Sequence, residues 1–98
     1  MTINGTKTGS ALTIAIEGRL DTSTAPQLDT FISENIDGVT SITFDFTDLS
    51  YISSAGLRSL LSTHKKMIGK GEMTVTNVND IVSEIFEITG FSDILNIV

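Results

Sequence analysis

The sequence predicts an α/β fold, with a mostly parallel or mixed sheet of four to five strands and helices mainly on one face. The first observation is the order of two sequence patterns. In some segments every second residue is apolar, as in a strand, and these segments alternate along the chain with segments whose apolar residues recur at helical spacing. Strands and helices in this order form largely parallel sheets. The second observation is that polar residues separate the apolar residues of each strand. Strands covered on both faces are continuously apolar, so one face of this sheet is expected to meet water.

Three strands are predicted from this alternation, at residues 11–17, 41–47 and 72–76. Residues 2–8 precede a Thr-Gly-Ser turn signal, which predicts a short antiparallel strand at the start of the chain. Residues 48–52 are interpreted as a turn. The tail, residues 91–98, is expected to contribute one turn of helix and an edge strand.

The first and third helices are predicted from their capping residues. Ser23 or Thr24 caps the first, whose opening turn tolerates Pro26, and Asn77 or Asn79 caps the third. A glycine follows each of these helices, and glycine favours the left-handed conformation that ends a helix.

The second helix is predicted to be capped by Ser53 and to end at the glycines of residues 69–71. Arg58, Ser62 and Lys65 are expected on its solvated face. Its apolar stripe is expected to consist of Leu57, Leu60, Leu61, His64, Met67 and Ile68.

Composition limits the partners of the chain. Its 98 residues suffice for one domain, expected to span residues 1–98. Twelve acidic residues against six basic ones give a net charge of −6, which repels a nucleic-acid backbone and an anionic membrane surface. The opening residues lack the apolar core of a signal peptide, and no apolar run approaches the ~20 residues that cross a bilayer. We therefore expect a cytoplasmic protein that binds neither nucleic acid nor membrane.

No combination of residues predicts catalysis or a cofactor. The chain has no cysteine and one histidine, which excludes thiolate and histidine-rich metal sites and leaves open only an exposed carboxylate site for Mg²⁺ or Ca²⁺. Ser54 and His64 are a candidate nucleophile and base, but their spacing on one helix separates them by ~15 Å. Asp45 and Asp48 resemble a paired-carboxylate site, but Asp45 is interpreted as a residue on the solvent-facing side of its strand and Asp48 as a turn former. We expect no enzyme activity, no metal and no cofactor.

The segment of residues 48–57 (DLSYISSAGL) places serines where a strand leads into a helix. That edge of an α/β sheet is where functional groups collect. Ser53 is predicted to cap the helix through a hydrogen bond from a backbone N–H near Ala55 or Gly56, which leaves Ser54 partly exposed at the first helical position. A phosphate there adds about −1.5 to −2 charges at the positive end of the helix dipole, so the fold is expected to tolerate it.

Gly56 lies early in the second helix, where glycine is up to about 1 kcal/mol less favourable than alanine. Its presence indicates that backbone or a partner approaches closely at this point. Substitution of Gly56 is therefore expected to weaken partner binding more than it lowers stability.

Three segments, in order along the chain, resemble the motifs of the STAS domains, the bacterial anti-sigma factor antagonists. Residues 18–21 (GRLD) with 24–26 (TAP) resemble the family's Gly-x-Leu-Asp before a helix. Residues 48–57 resemble its aspartate-led loop with serine and Gly-Leu at the opening of a helix, and residues 86–91 (FEITGF) resemble its C-terminal motif. The resemblance covers nearly the whole chain and implies a STAS-like sheet with helices on one face.

The resemblance also implies the functional residues. The family's phosphorylated serine falls on Ser54, its helix glycine on Gly56 and its loop aspartate on Asp21, whereas Ser53 stands where the family has aspartate. The partner-binding surface implied in this way comprises Asp21, Ser53, Ser54, Ala55, Gly56, Leu57, Arg58 and Ser62.

The partners implied by the resemblance are an anti-sigma factor that is also a serine kinase, and a PP2C-type phosphatase. The unphosphorylated chain is expected to sequester the anti-sigma factor and so to activate transcription by a sigma factor. Two alternatives stay open at this point. One is a scaffold that uses the same surface without phosphorylation, and the other is a sensor that binds a small molecule or nucleotide at the start of the second helix.

Overall fold

The computed structural model describes all 98 residues of the chain, from Met1 to Val98. The strands are β1 Thr2–Thr8, β2 Ala11–Leu20, β3 Ser41–Asp45, β4 Leu49–Ile52, β5 Glu72–Thr76 and β6 Asn96–Ile97. The helices are α1 Ala25–Asn35, α2 Ser54–Met67 and α3 Asp80–Thr89, and a 3-10 turn covers Phe91–Asp93.

Strand β2 organises the sheet because it pairs with three other strands. It is antiparallel to β1, parallel to β3 over residues 11–15, and parallel to β4 over residues 18–20. The register shifts between Gly18 and Arg19, where the partner changes. The strand order is β1-β2-β3-β5-β6, with β4 beside β2 off this path. The sheet is therefore mixed, as predicted, and has six strands instead of four or five.

The predicted turn at residues 48–52 is wrong, because Leu49–Ile52 forms strand β4. Leu49 and Ile52 are both buried although they are three residues apart, so the segment lacks the alternation from which strands were predicted. β4 pairs only with the short end of β2 beyond the register shift. The segment is therefore too short to show a sequence pattern that identifies it as a strand. β2 also continues to Leu20 instead of ending at residue 17, and β3 ends at Asp45 instead of residue 47.

The two ends of the chain form the edges of the sheet, which confirms the antiparallel strand predicted at the start and the edge strand predicted in the tail. β1 pairs only with β2, and β6 pairs only with β5, in parallel. The backbone N–H of Val98 donates to the carbonyl oxygen of Val75 at 3.0 Å, which continues the β5–β6 pairing to the last residue.

One hydrophobic core lies on one face of the sheet. Alternate residues of the strands point into it, including Ile14, Phe44 and Val75, all of which are fully buried. Leu28 of α1, Leu60 of α2 and Phe86 of α3 are buried in the same cluster, so all three helices cover this face. The residues between, Thr13, Thr43, Asp45, Thr74 and Thr76, are exposed or half-buried. Both parts of the prediction, one covered face and one wet face, are confirmed.

The buried face of α2 differs from the predicted stripe. Ser59 and Thr63 are buried, and the Thr63 hydroxyl donates to the Ser59 carbonyl oxygen at 2.9 Å, which satisfies it without a water. His64 is half-buried, and Ile68 is 67% exposed. Ser59 and Thr63 are small, so they let the helix pack closely. The predicted stripe missed them because it was read from apolar residues alone.

The caps follow the predicted residues at two of three helices. Ser53 caps α2, and the side chain of Asn79 caps α3 by accepting from the backbone N–H of Val82 at 2.8 Å. Thr24 lies at the cap position of α1, but its side chain does not cap the helix. Gly90 ends α3 in the left-handed conformation, with φ of 80°. None of the helices has the length and apolar composition needed to span a membrane.

Candidate partner-binding site at the start of helix α2

The backbone holds the start of α2 against the end of β2. The Ser53 N–H donates to the Leu20 carbonyl oxygen at 2.9 Å, and the Leu57 N–H donates to the Ser53 carbonyl oxygen at 2.9 Å. Ser53 has extended backbone angles, as a capping residue requires, and its Oγ accepts from the Gly56 N–H at 3.5 Å. This distance is at the long end for a hydrogen bond, so the cap is correctly predicted but weak.

Ser54 is the first residue of α2, and its side chain is exposed. Its hydroxyl takes part in none of the side-chain hydrogen bonds of the protein, so it is available for modification. It lies where the unpaired backbone N–H groups of the helix concentrate positive potential.

Gly56 is buried, and side-chain and backbone atoms at the ends of β2 and β4 approach it closely. A Cβ atom on Gly56 would lie 2.7 Å from Ile52 Cγ1, 2.8 Å from Leu20 Cγ and 2.9 Å from the Leu20 carbonyl oxygen. Real Cβ atoms do not approach so closely. Gly56 therefore lets α2 rest directly on the end of β2, and it places Ser54 near the loop that follows Leu20.

That loop is built around the carboxylate of Asp21. Its Oδ1 accepts from the Ser23 hydroxyl at 2.7 Å, from the Ser23 N–H at 3.0 Å and from the Thr24 N–H at 3.2 Å. Thr24 Oγ1 accepts from the Asp21 N–H at 2.8 Å and donates to the Arg19 carbonyl oxygen at 2.9 Å. The Ser23 hydroxyl chiefly lowers the pKa of Asp21, partial desolvation opposes it, and the other donors add to the lowering.

A cation also lies at this junction, and the sequence did not predict it. The Arg19 guanidinium lies over the ring of Tyr51, 4.5 Å from its centroid, and Arg19 Nε is 3.8 Å from Asp21 Oδ2. Arg19 and Tyr51 are cross-strand neighbours of β2 and β4. Because the sequence pattern did not identify β4, it carried no signal for this pair.

A groove between α1 and α2 extends the candidate site along α2, beyond Ser54. Its walls include Pro26, Asp29 and Ser33 from the α1 side and Arg58, Ser62 and Lys66 from α2. Arg58 and Ser62 are exposed, as predicted. Residues 54–71 contain four of the six basic residues of the chain and no acidic one, so the outer face of α2 is positive in a protein of net charge −6.

The predicted surface divides into accessible and buried members. Asp21, Ser53, Ser54, Arg58 and Ser62 are exposed or half-buried. Gly56 and Leu57 are buried in the core, and Ala55 is only 9% exposed. Burial limits what these three can offer a partner, although Ala55 also lines the groove between α1 and α2. Their part in partner binding stays a prediction.

Asp45, one of the two carboxylates considered for catalysis, is held in place by three hydrogen bonds. Asp45 Oδ1 accepts from the Thr47 hydroxyl at 2.6 Å, from the Thr47 N–H at 3.0 Å and from Asn77 Nδ2 at 3.0 Å. These donors, the Thr47 hydroxyl first, lower the pKa of Asp45. Asp45 therefore ties the end of β3 to the end of β5, a structural role that spacing in the sequence did not reveal.

The whole chain matches one family. The family model of the STAS domain matches residues 2–98. The chain belongs to the STAS domain family. This confirms the resemblance seen in the three sequence motifs.

Two relatives of this STAS domain are anti-sigma factor antagonists by name. It is 33% identical over 90 residues to BtrV of Bordetella bronchiseptica, assigned as an anti-sigma factor antagonist, with 90% of this chain and 78% of that protein covered. It is 29% identical over 86 residues to the anti-sigma-B factor antagonist of Staphylococcus aureus, with 86% and 80% covered. Both names describe regulators instead of enzymes.

Solved structures confirm the STAS fold. The anti-sigma factor antagonist SpoIIAA in its unphosphorylated form superposes with a TM-score of 0.78 at 21% identity, covering 99% of this chain and 87% of that chain. The phosphorylated form of SpoIIAA, a Bacillus cell fate determinant, gives a TM-score of 0.77 at 22% identity, covering 99% and 91%. The mixed sheet with its helices is thus shared at low sequence identity.

Proposed function

We propose that this STAS domain is an anti-sigma factor antagonist switched by phosphorylation of Ser54. The observation that carries the proposal is the exposed, unbonded hydroxyl of Ser54 on the first residue of α2, held there by the close packing of Gly56 on Leu20. The names of the relatives and the two phosphorylation states of SpoIIAA support it.

The proposed contact surface is the accessible part of the junction: Asp21, Ser53, Ser54, Arg58 and Ser62. It joins a carboxylate from the loop after β2 to hydroxyl groups at the start of α2 and to a cation in the groove beside α1. Ala55 adds to the wall of that groove, and the buried Gly56 and Leu57 support the surface from within the fold.

The switch is electrostatic. A phosphate on Ser54 adds about −1.5 to −2 charges, which the dipole of α2 accommodates. Arg58 lies four residues further on, at the spacing at which a negative group stabilises a helix by pairing with a following cation. Within an interface the same charge weakens binding through repulsion and desolvation, so the modified chain keeps its fold and loses its partner.

The proposed partners are an anti-sigma factor that is also a serine kinase, which uses ATP on Ser54, and a PP2C-type phosphatase that removes the phosphate. In its unmodified form the chain sequesters the anti-sigma factor and frees the sigma factor for transcription. This role takes place in the cytoplasm and needs no cofactor and no contact with nucleic acid or membrane.

A scaffold that is not phosphorylated is the second candidate. The feature that favours it is Ser53, which stands where the resemblance places an aspartate and so removes a negative charge beside the acceptor. The geometry of the surface serves both candidates, so phosphorylation itself must decide.

The test is incubation of the chain with its cognate anti-sigma factor kinase and ATP, followed by intact-mass measurement. The wild type and Ser92→Ala, which removes another exposed serine, are expected to gain one phosphate, and Ser54→Ala none. The phosphorylated chain should bind the anti-sigma factor more weakly than the unmodified chain. A chain that binds the anti-sigma factor kinase but gains no phosphate from it would support the scaffold, and a change in melting temperature on adding a nucleotide would support a sensor.

A further inference from the structure

Helix α3 is apolar on two sides, and only one of them is covered. Val82 and Phe86 are fully buried in the core. On the outer side, Ile81 is 59% exposed and Ile88 is 76% exposed, with the half-buried Ile85 between them. These positions, spaced i, i+4 and i+7, form one stripe about 10 Å long, here called the α3 stripe.

Nothing in the fold of the chain covers the α3 stripe. The elements that pack most on α3 are β4 and the 3-10 turn, and Ile81 and Ile88 remain more than half exposed beside them. Large aliphatic side chains exposed in a row mark interaction sites when polar residues border them.

The α3 stripe is bordered by acidic residues on one side and by the exposed, neutral Thr89 on the other. Asp80, Glu84 and Glu87 are exposed on the same helix, and none of them forms an ion pair. Residues 71–98 contain five acidic residues and no lysine, arginine or histidine. A partner must therefore offer apolar side chains and positive charge together.

We propose that the outer face of α3 docks a basic amphipathic helix of a partner protein. The apolar ridge of that helix packs on Ile81, Ile85 and Ile88, and its lysine or arginine side chains meet Glu84 and Glu87. Helix ridges at i, i+4 and i+7 pack against one another, and opposite charges at the rim fix the register and accelerate encounter.

Charge argues against a second copy on this face. A symmetric contact between two α3 helices brings the carboxylates of both copies together, in molecules that each carry a net charge of −6. An anionic membrane is repelled by the same carboxylates.

The α3 stripe is separate from the proposed contact surface that includes Ser54. No residue of α3 lines the groove between α1 and α2 that continues that surface. The inference therefore goes beyond the phosphorylation switch: it gives the protein a second partner site whose use does not require Ser54.

The test titrates the ¹⁵N-labelled chain with a synthetic helical peptide that carries leucines at i, i+4 and i+7 and lysines on both sides of them. Chemical-shift changes are expected on residues 80–89, with weaker binding at higher salt. The double variant Ile81→Gln/Ile88→Gln should bind about tenfold more weakly or worse. Ile68→Gln removes an equally exposed isoleucine from the end of α2 and should bind like the wild type.

Four results would overturn the proposal. One is equal binding by the wild type and the double variant, and another is binding of a control peptide with glutamate in place of lysine. A third is shift changes at the acidic residues Asp45 and Asp48 instead of α3. The fourth is self-association of the chain alone, seen by sedimentation and abolished in the double variant, which would assign the stripe to a contact between copies. The assay uses no kinase, so its outcome is independent of Ser54 phosphorylation.

Discussion

Gly56 and Ser54 are two residues apart on α2 and face opposite environments. Gly56 lies on the Leu20 carbonyl oxygen and has no room for a methyl group, whereas the Ser54 side chain is exposed and its hydroxyl makes no hydrogen bond. The sequence indicated that backbone or a partner approaches Gly56 closely, and the structure shows that Leu20 at the end of β2 and Ile52 at the end of β4 do so. Gly56, which was expected to matter for binding, thus allows close packing of α2, and this packing positions the exposed Ser54.

Gly56→Ala should therefore destabilise the fold. The added methyl group overlaps the Leu20 carbonyl oxygen and two packed side chains, and overpacking of this kind costs about 1–3 kcal/mol of the free energy of unfolding. Urea titration measures it. Ser54→Ala, in the same turn but exposed, should change stability by less than about 0.5 kcal/mol. Equal stability of the two variants would mean that the start of α2 shifts freely.

Asp45 makes stability depend on pH. Its hydrogen bonds, first that from the Thr47 hydroxyl, lower its pKa below the ordinary 3.8. Because the folded pKa lies below the unfolded one, the ionised group stabilises the fold above the unfolded pKa, and this is lost as pH falls through the folded pKa. Asp45→Asn should be less stable than the wild type at neutral pH and should lose less stability on acidification to about pH 3.

The control for this comparison is Asp29→Asn, which removes an exposed carboxylate that makes no hydrogen bond. Its unfolding free energy should follow the wild-type pH dependence. If Asp45→Asn also follows that curve, the hydrogen bonds of Asp45 contribute nothing to acid sensitivity.

At the level of elements, β4 marks the limit of what the sequence predicts. Strands β2, β3 and β5 alternate over five or more residues, and their existence was predicted correctly. β4 has four residues and pairs with β2 only past a register shift, so its strand character comes from tertiary pairing. The contact of Arg19 with Tyr51 was missed for the same reason. The serines of the site were found because a helix start has a local signature, in the form of a capping residue.

The caps of α2 and α3 should respond differently to aspartate. Aspartate caps a helix as well as serine or asparagine, so Ser53→Asp should keep stability roughly constant. Ser53→Ala should cost about 0.5 kcal/mol, the low end for a lost cap, because the Ser53 hydrogen bond is long. At α3, Asn79 also donates from Nδ2 to the Leu49 carbonyl oxygen at 2.8 Å. Asn79→Asp keeps the cap but sets a carboxylate against that carbonyl, which should cost about 1–3 kcal/mol.

Denaturant titration of the three variants decides this prediction. A small loss in Asn79→Asp would show that the bond to Leu49 is dispensable for joining α3 to β4. If Ser53→Ala and Ser53→Asp are equally stable, Ser53 is not the functional cap of α2.

At the scale of the whole molecule, the phosphorylation switch should change charge and leave the fold alone. Phosphorylation takes the net charge from −6 to about −8 at an exposed position where the helix dipole favours it. NMR shift changes should be confined to the start of α2 and the Asp21 loop, and the melting temperature should change by only a few degrees. Changes spread across the sheet would mean that the switch works by altering the fold.

The segregation of charge onto separate helices also bears on how fast partners arrive. Arg58, Lys65, Lys66 and Lys70 lie on or just after α2, whereas the last third of the chain is acidic throughout. The molecule is therefore an electric dipole as well as an anion, and its field orients an approaching protein before contact. Molecules with acidic surfaces are steered toward α2 and those with basic surfaces toward α3, so both association rates should fall as added salt shortens the range of the field.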